Sequence, residues 1–232
     1  MAQKRVVIPR IGEVVLAKRR GSKSLRLSIA PSGQVRVGMP HWMPYSAGIS
    51  FAKKRADWIN LHLASHEEQP VLDGSRIGKS HRVHFFSSNA DFRSKISGLN
   101  ISIYTNKATT DPWLQKRLRP ACERALKKEA SVLLPQRVRQ LAGEHGFEYK
   151  SLKIKRLTSR WGSCSARKEI SLSFFLIQLP WEYIDFVILH ELAHTKYLDH
   201  SRDFWQQMDS MVLSAKAKRK KLKDYKPRLE PS

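Results

Sequence analysis

Residues 187–205, VILHELAHTKYLDHSRDFW, contain three histidines and a glutamate at spacings that suit a metal site. His190 and His194 are four residues apart, so on an α-helix they lie about one turn apart on the same face and can bind one ion. Glu191 would then lie beside the metal, where it can take a proton from activated water. This HExxH pattern predicts two metal ligands and a general base, the arrangement of a zinc-dependent hydrolase.

A third protein ligand and an open position for water are needed to complete a catalytic zinc site. His200 is the candidate ligand, because it follows His194 at the interval found in the longer pattern HExxHxxGxxH. Tyr197 stands where that pattern has glycine, so we expect the chain to leave the helix differently, through a left-handed residue at Leu198-Asp199. Asp199 or a distant residue is the alternative third ligand.

The segment RWGSCS, residues 160–165, precedes the predicted metal helix. Its glycine suits a bulge or a close approach of another backbone. In a zinc peptidase, a strand beside the site can pair with an extended peptide, which makes this segment a candidate for substrate binding, with core packing as the alternative. Cys164 lacks the surrounding sequence of a cysteine-protease nucleophile. The candidate substrate-binding residues are Arg160, Trp161, Gly162 and Ser163.

Alternating apolar residues in the first half of the chain predict β-structure. They indicate a β-hairpin within residues 14–39 and further hairpins within 70–110. Between them, apolar residues at helical spacing predict one amphipathic helix over about 44–64. No internal repeat is visible. The first half is therefore expected to be rich in β-hairpins.

Helical patterns dominate the second half. Asp111 can cap a helix that begins at Pro112, with a bend or break expected at Pro120 and Pro135. Pro180 is expected to begin the helix that carries the HExxH pattern. The two strands predicted between these helices are 152–157 and 170–176. The pattern as a whole predicts an α+β fold, with a β-hairpin-rich region followed by a helical region.

The formal net charge of +23 and the sequence pI near 10.4 imply attraction to polyanions. The surplus is dispersed along the chain, so nucleic-acid binding through a basic surface stays open. Two cysteines without a CxxC pattern indicate free thiols. The apolar runs are too short for a signal peptide or a membrane span, so we expect a soluble cytoplasmic protein that does not bind membranes.

Three segments resemble the YgjP-like zinc metallopeptidase family: RWGSCS, ISLSFFLIQLP and YIDFVILHELAHTKYLDHSRDFW. The site is also similar to that of SprT-like proteases. The resemblance is most specific over residues 160–205 and looser over 14–64, and Ser173 stands where it implies asparagine. It implies a zincin-like catalytic region without implying a particular substrate. The residues that it implies are the zinc ligands His190, His194 and His200 and the catalytic acid/base Glu191.

The predicted organisation has three parts. Residues 1–110 form a β-rich region with one amphipathic helix, 111–215 a zincin-like metallopeptidase region, and 216–232 a basic C-terminal tail. The predicted function is zinc-dependent hydrolysis of peptide or protein substrates. One alternative is a metal-dependent nucleotide or phosphoanhydride hydrolase. The other is a basic nucleic-acid-binding protein with a structural metal.

Overall fold

The computed structural model describes residues 2–30, 33–64 and 69–232. The chain packs as two units, Met1–Glu68 (unit 1) and Gln69–Ser232 (unit 2). The sequence instead places the first boundary near residue 110. The difference arises because the β-structure between residues 76 and 105 packs on the long helix that follows it. Within the described residues, no helix combines the length and apolar character needed to cross a bilayer.

Unit 1 contains a four-stranded sheet of order β1-β2-β4-β3. The antiparallel pairing of β3 with β4 confirms the predicted hairpin, although its tip at residues 31–32 lies outside the described residues. The parallel pairing of β2 with β4 was not predicted, because it joins strands that are not consecutive. The strands are β1 (Gln3–Ile8), β2 (Gly12–Arg19), β3 (Arg26–Ile29) and β4 (Val35–Pro40).

Two helices follow, α1 (Tyr45–Lys54) and α2 (Ala56–Ala64), so the prediction of one continuous helix was wrong. The helical hydrogen-bond pattern is interrupted at Arg55, which has φ −112° and ψ 16°. Its N–H donates to Ala52 O, three residues back, instead of four. The break lets Ala52 from α1 and Ile59 from α2 both enter the core, where each is fully buried. Packing of the sheet therefore overrides helical continuity.

Unit 2 begins with a second four-stranded sheet, of order β5-β6-β8-β7. Its pairings are antiparallel, parallel and antiparallel, the same sequence of pairings as in unit 1. The amino-acid sequence shows no repeat because the two sheets share a pairing pattern rather than residues. The strands are β5 (Arg76–Ile77), β6 (His81–Ser87), β7 (Arg93–Ser97) and β8 (Asn100–Thr105).

Helix α3 (Pro112–His145) is a single helix of 34 residues that contains both Pro120 and Pro135. Its start is as predicted, because Asp111 Oδ1 accepts hydrogen bonds from the N–H groups of the first turn at 2.8 and 3.0 Å. The helix is not interrupted at either proline, so the break considered near Pro135 is absent. Each proline removes one backbone hydrogen bond, and the helix's buried apolar face outweighs that loss. The fully buried members of that face include Leu114, Leu118, Cys122, Leu126, Leu134 and Val138.

A buried carboxylate fixes the second sheet to α3. Glu129 accepts hydrogen bonds from Lys79 N–H at 2.8 Å and His81 Nδ1 at 3.0 Å. The Lys79 ammonium donates to Leu179 O, just before the HExxH helix. These polar contacts are satisfied inside the core, where an unpaired group would be costly. They connect the sheet, α3 and the start of the HExxH helix within unit 2.

A three-stranded sheet of order β10-β11-β9 lies beside the HExxH helix. The prediction of two strands is extended by a third, β10, and by a 3₁₀ helix (Phe174–Gln178) that ends β11 earlier than expected. The strands are β9 (Ser151–Lys155), β10 (Gly162–Cys164) and β11 (Glu169–Ser173). The remaining helices are α4 (Trp181–Ala193), α5 (Arg202–Met211) and α6 (Ala215–Leu222). The chain is an α+β protein, as predicted.

In the basic C-terminal segment after α6, residues 225–231 pack on unit 2, whereas the sequence suggests a tail. Leu229 is 3% exposed. The Gln178 side chain holds the backbone on both sides of Leu229. It donates to Arg228 O at 2.8 Å and accepts from Glu230 N–H at 3.0 Å. Ser232 exchanges backbone hydrogen bonds with Arg76 of β5. The segment is therefore a fixed wall of unit 2.

Candidate active site

Helix α4 presents the HExxH residues from its last turn. Its apolar face is buried against the core through residues that include Ile184 and Leu192, both fully buried. Asp185 accepts two hydrogen bonds from the Arg137 guanidinium of α3, both at 2.6 Å. Burial fixes the rotation of α4, and this bidentate pair fixes its register on α3.

The three histidines of the sequence pattern converge. Each offers one ring nitrogen, and these three atoms lie within 4.8 Å of one another. His200 Nε2 is 3.1 Å from His190 Nε2. Two nitrogen ligands of one tetrahedral zinc, each at about 2.0–2.1 Å from the metal, lie about 3.3 Å apart. The spacing of these two imidazoles therefore fits a shared divalent ion.

The tautomer of His194 also fits metal binding. Its Nδ1–H donates to Tyr197 O at 2.9 Å. Since a carbonyl oxygen only accepts hydrogen bonds, the proton is on Nδ1 and the lone pair of Nε2 is free for a metal. His190 Nδ1 is buried without a partner among the described residues, which leaves its Nε2 as the nitrogen directed toward the other imidazoles.

The chain leaves α4 without the left-handed residue that was expected at Leu198-Asp199. No residue between His194 and His200 has a positive φ. Instead, Thr195 N–H and Lys196 N–H donate to carbonyls three residues back, at 2.9 and 3.0 Å, which tightens the last turn. A 3₁₀-type turn therefore replaces the glycine of the longer histidine pattern.

Aromatic residues of α5 hold the imidazoles in place. Phe204 is fully buried, and its ring centroid lies 4.7–5.0 Å from the centroids of all three histidine rings. Ser201 caps α5 by accepting a hydrogen bond from Phe204 N–H. Trp205 packs on the outer side, with its centroid 6.2 Å from that of His200. The closing F-W of the sequence motif thus supports the histidines.

The carboxylate of Glu191 lies under β10 and is 6% exposed. Burial raises its pKa from 4.5 to about 8, and the positive charge of Arg160 opposes this shift. A Cβ atom at Gly162 would lie 2.7 Å from Glu191 Cγ and Oε1. Only glycine therefore leaves room for this carboxylate beneath the strand. The group that lies close to Gly162 is the side chain of Glu191, whereas the sequence suggested another backbone or a bulge.

Burial favours the neutral form of His190 and His200, which is the form that metal binding requires. Burial lowers the pKa of His190 to about 3, with further lowering by His194, His200 and Arg219. Burial also lowers the pKa of His200, as do the nearby positive charges. Cys164 differs in character, because burial and the Glu191 carboxylate raise the pKa of its thiol to about 11. A protonated thiol is a poor nucleophile, which agrees with the sequence analysis.

An open cleft of about 680 Å³ extends from His190 and Glu191 along unit 2. Three of the four candidate substrate-binding residues, Arg160, Trp161 and Gly162, line it together with His190 and Glu191. Ser163 does not line the cleft and pairs with Ser171 of β11. The opposite wall was missed from sequence. Its residues come from α6 and the segment after it: Arg219, Leu222, Lys223, Tyr225, Lys226 and Pro227.

Ser173 has a structural role at the position where the family resemblance implies asparagine. It is fully buried; its hydroxyl donates to Leu157 O and its N–H donates to Trp161 O, both at 2.8 Å. These bonds fix both ends of the loop that leads into β10. The serine therefore positions the strand beside Glu191.

Residues 23–225 match the YgjP-like metallopeptidase domain. Among solved structures, the chain is similar to the metallopeptidase zymogen abylysin from Pyrococcus abyssi, with 21% identity, a TM-score of 0.36, and coverage of 39% of this chain and 91% of that chain. The zymogen of jannalysin from Methanocaldococcus jannaschii has a TM-score of 0.35 at the same identity and coverage. A comparison with curated proteins finds no significant match. Because the matched domain spans most of its length, the chain belongs to the YgjP-like metallopeptidase family.

Proposed function

We propose that this chain hydrolyses peptide bonds with a zinc ion held by His190, His194 and His200, and with Glu191 as the general acid/base. One observation carries the proposal: three imidazoles, each offering one ring nitrogen, converge within 4.8 Å beside a buried carboxylate. Three histidines with no cysteine or additional carboxylate among them suit zinc and leave a fourth position open. When bound, the ion polarises the scissile carbonyl, acidifies water, and lowers the raised pKa of Glu191 toward that of a general base.

Glu191 would carry the proton through the reaction. Its carboxylate accepts a proton from the attacking water and returns it to the leaving amine. Because the side chain is buried under β10, it has little freedom to move away from this position. A proton carrier is most effective when its pKa lies near the working pH. Burial raises the pKa of Glu191 and the bound ion would lower it, so the two effects together would bring it toward that range.

Strand β10 offers a surface for an extended substrate. It is the edge strand of its sheet, with β11 as its neighbour on one side. An extended peptide can add to such an edge through main-chain hydrogen bonds. The substrate would then pass directly over Glu191, which lies beneath Gly162. We assign Gly162 and Ser163 to substrate binding as residues of this edge strand, and Arg160 and Trp161 as lining residues of the cleft just before it.

Metal content tests the proposal first. Purified wild type is expected to carry about one zinc per chain by mass spectrometry, and His200→Ala to lose it, because two histidines alone rarely hold zinc. His41→Ala removes an exposed histidine of unit 1 and serves as the control. Wild type that remains free of zinc after incubation with the metal would overturn the proposal. Parallel assays for peptide cleavage and phosphate release distinguish a peptidase from a phosphoanhydride hydrolase.

The cleft also predicts a preference among peptides. Four basic side chains line it, and Glu191 is the only carboxylate among its described lining residues. A substrate carboxylate bound by these basic side chains would gain several charge-assisted hydrogen bonds, against repulsion from the single carboxylate of Glu191. We therefore expect peptides with acidic side chains near the scissile bond to be preferred over their amide counterparts. The basic lining residues are Arg160, Arg219, Lys223 and Lys226.

The double variant Lys223→Gln, Lys226→Gln is expected to reduce the kcat/KM ratio of acidic to amide peptides about fivefold, since each partly exposed ion pair contributes up to about 1 kcal/mol. Lys216→Gln with Lys220→Gln removes the same charge from exposed positions of α6 outside the cleft, and should leave the ratio unchanged. An equal change in both double variants would show that overall charge, rather than the cleft, sets the preference.

A further inference from the structure

Unit 1 contains a strongly basic pocket with a volume of about 600 Å³. It is formed by the end of β2, the turn after β2, and the adjoining parts of β3 and β4. We call this pocket the basic groove. Its other lining residues include Gly21, Gly38 and three serines, so much of the surface is small and polar. The basic lining residues are Arg19, Arg20, Lys23, Arg26 and Arg36.

Nothing in the described part of unit 1 neutralises the basic groove. The carboxylates there are Glu13 and Asp57, which pair with Arg5 at 3.4 Å and Arg10 at 3.1 Å. Neither acid lines the groove. None of the five basic side chains of the groove forms a hydrogen bond or ion pair with a described residue. Five cations around one concavity produce a local positive potential that attracts an anion.

Arg36 gives the groove a second feature that points to a ligand. Its Nε is buried and has no hydrogen-bond partner among the described residues. A buried donor without an acceptor is unfavourable, so an oxygen-rich anion that accepts from this guanidinium would remove the cost. Arg36 lies on β4, and its neighbours Arg26 and Ser28 lie on β3 in the paired register. Regular strands therefore hold these donors in place.

The composition of the groove identifies the anion. Four of its five cations are arginines, whose planar donor groups match phosphate oxygens. Its volume is that of a pocket for a drug-sized molecule, far larger than one phosphate ion needs. Leu27 is its only large apolar lining residue, so it lacks the anchors typical of protein interfaces. No aromatic residue lines it, so stacking on bases is not expected.

We propose that the basic groove binds the phosphodiester backbone of nucleic acid without sequence preference. Phosphate contacts position a nucleic acid but do not read its bases, which fits a surface of arginine, lysine, serine and glycine. The proposal is independent of the histidine cluster, because the groove lies in unit 1 and the histidines in unit 2. Loss of one activity would leave the other intact.

Fluorescence anisotropy of the full chain with a labelled single-stranded oligonucleotide of about 20 nucleotides tests this proposal. We expect binding that weakens steeply between about 50 and 200 mM salt. Arg26→Gln with Arg36→Gln should weaken oligonucleotide binding about tenfold. It should also reduce the steepness of log K against log[salt] by about 1.4, which corresponds to two phosphate contacts. Arg20→Gln with Lys23→Gln provides an exposed second pair for which folding is not at risk. Lys53→Gln with Lys54→Gln removes the same charge from α1 and should change little.

Competitors distinguish the sources of negative charge. Oligonucleotides of different sequence should compete equally, whereas orthophosphate should compete poorly. Strong binding of polyphosphate without binding of the oligonucleotide would overturn the nucleic-acid assignment, and so would displacement by polyglutamate at matched charge. Equal weakening by the α1 pair and the groove pairs would also overturn it, because net charge alone would then explain the binding.

Discussion

Glu191→Gln is expected to lower kcat by about 10²–10⁴-fold while the bound zinc is retained. The amide has nearly the shape of the carboxylate, so it fits the same space beneath β10. It cannot accept a proton from the attacking water, and that proton transfer is the step assigned to Glu191. The ring nitrogens of the three histidines are unchanged. In this variant, kcat should therefore fall while the zinc content stays at the wild-type level.

The control for this experiment is Glu148→Gln, which makes the same chemical change at an exposed position before β9. It should retain both activity and metal. Loss of zinc from Glu191→Gln would instead assign Glu191 to metal binding or to structural support. Full activity with the amide would remove Glu191 from the mechanism.

The same variant has a second readout in the metal-free protein. Burial raises the pKa of Glu191 from 4.5 to about 8, so its contribution to stability is present below pH 4.5 and is lost as the pH rises to about 8. His190, with its pKa lowered from 6.5 to about 3, costs stability only as the pH falls below 6.5. Between pH 6.5 and 8, metal-free wild type should therefore lose stability as pH rises, and Glu191→Gln should lose less. Thermal unfolding in a chelator measures both slopes.

Gly162→Ala is expected to lower kcat about 100-fold, with zinc retained. The added Cβ would lie 2.7 Å from Glu191 Cγ and Oε1 and 2.9 Å from Cδ, distances that require a shift. The strand is fixed by its pairing with β11, so the carboxylate is the group that must move. A misplacement of about 1 Å at a reacting group can cost about 10²-fold in rate. Kinetics with metal analysis on the same samples measures the effect.

Gly143→Ala is the matched control, because a Cβ there meets nothing within 4 Å in α3. Activity should be unchanged, and stability should rise by up to about 1 kcal/mol, as for glycine replacement in a helix. Wild-type kcat in Gly162→Ala would show that the carboxylate adapts, and would contradict the role of Gly162 in positioning it.

Local spacing predicted the chemistry of the site but not its closure. The four-residue spacing from His190 to His194 places both on one helical face, whatever the rest of the chain does. His200 depends on the turn after α4, which was expected to use a left-handed Asp199 and instead uses a 3₁₀-type turn. That choice rests on Phe204, which packs against all three rings, and such a contact has no local periodicity.

The fold shows the same limit. Sequence predicted the β3–β4 hairpin and the cap of α3 at Asp111, because both depend on neighbouring residues. It did not predict the parallel pairs β2–β4 and β6–β8. In each pair, another strand, β3 or β7, lies between the two partners in the sequence. The sequence also suggested a break near Pro135, where α3 continues without interruption, since buried packing along the helix compensates for the missing hydrogen bonds.

The sequence by itself determined the family and the α+β class, and it predicted the residues that we propose to hold a metal and move a proton, because these depend on residue type and short spacing. Tertiary structure alone decided that Gly162 lies over Glu191 and that the basic C-terminal segment forms a wall of the cleft. It also decided that the charges of β2, β3 and β4 gather into one groove. Each of these depends on chain segments far apart in sequence, which pack together only when the apolar core is formed.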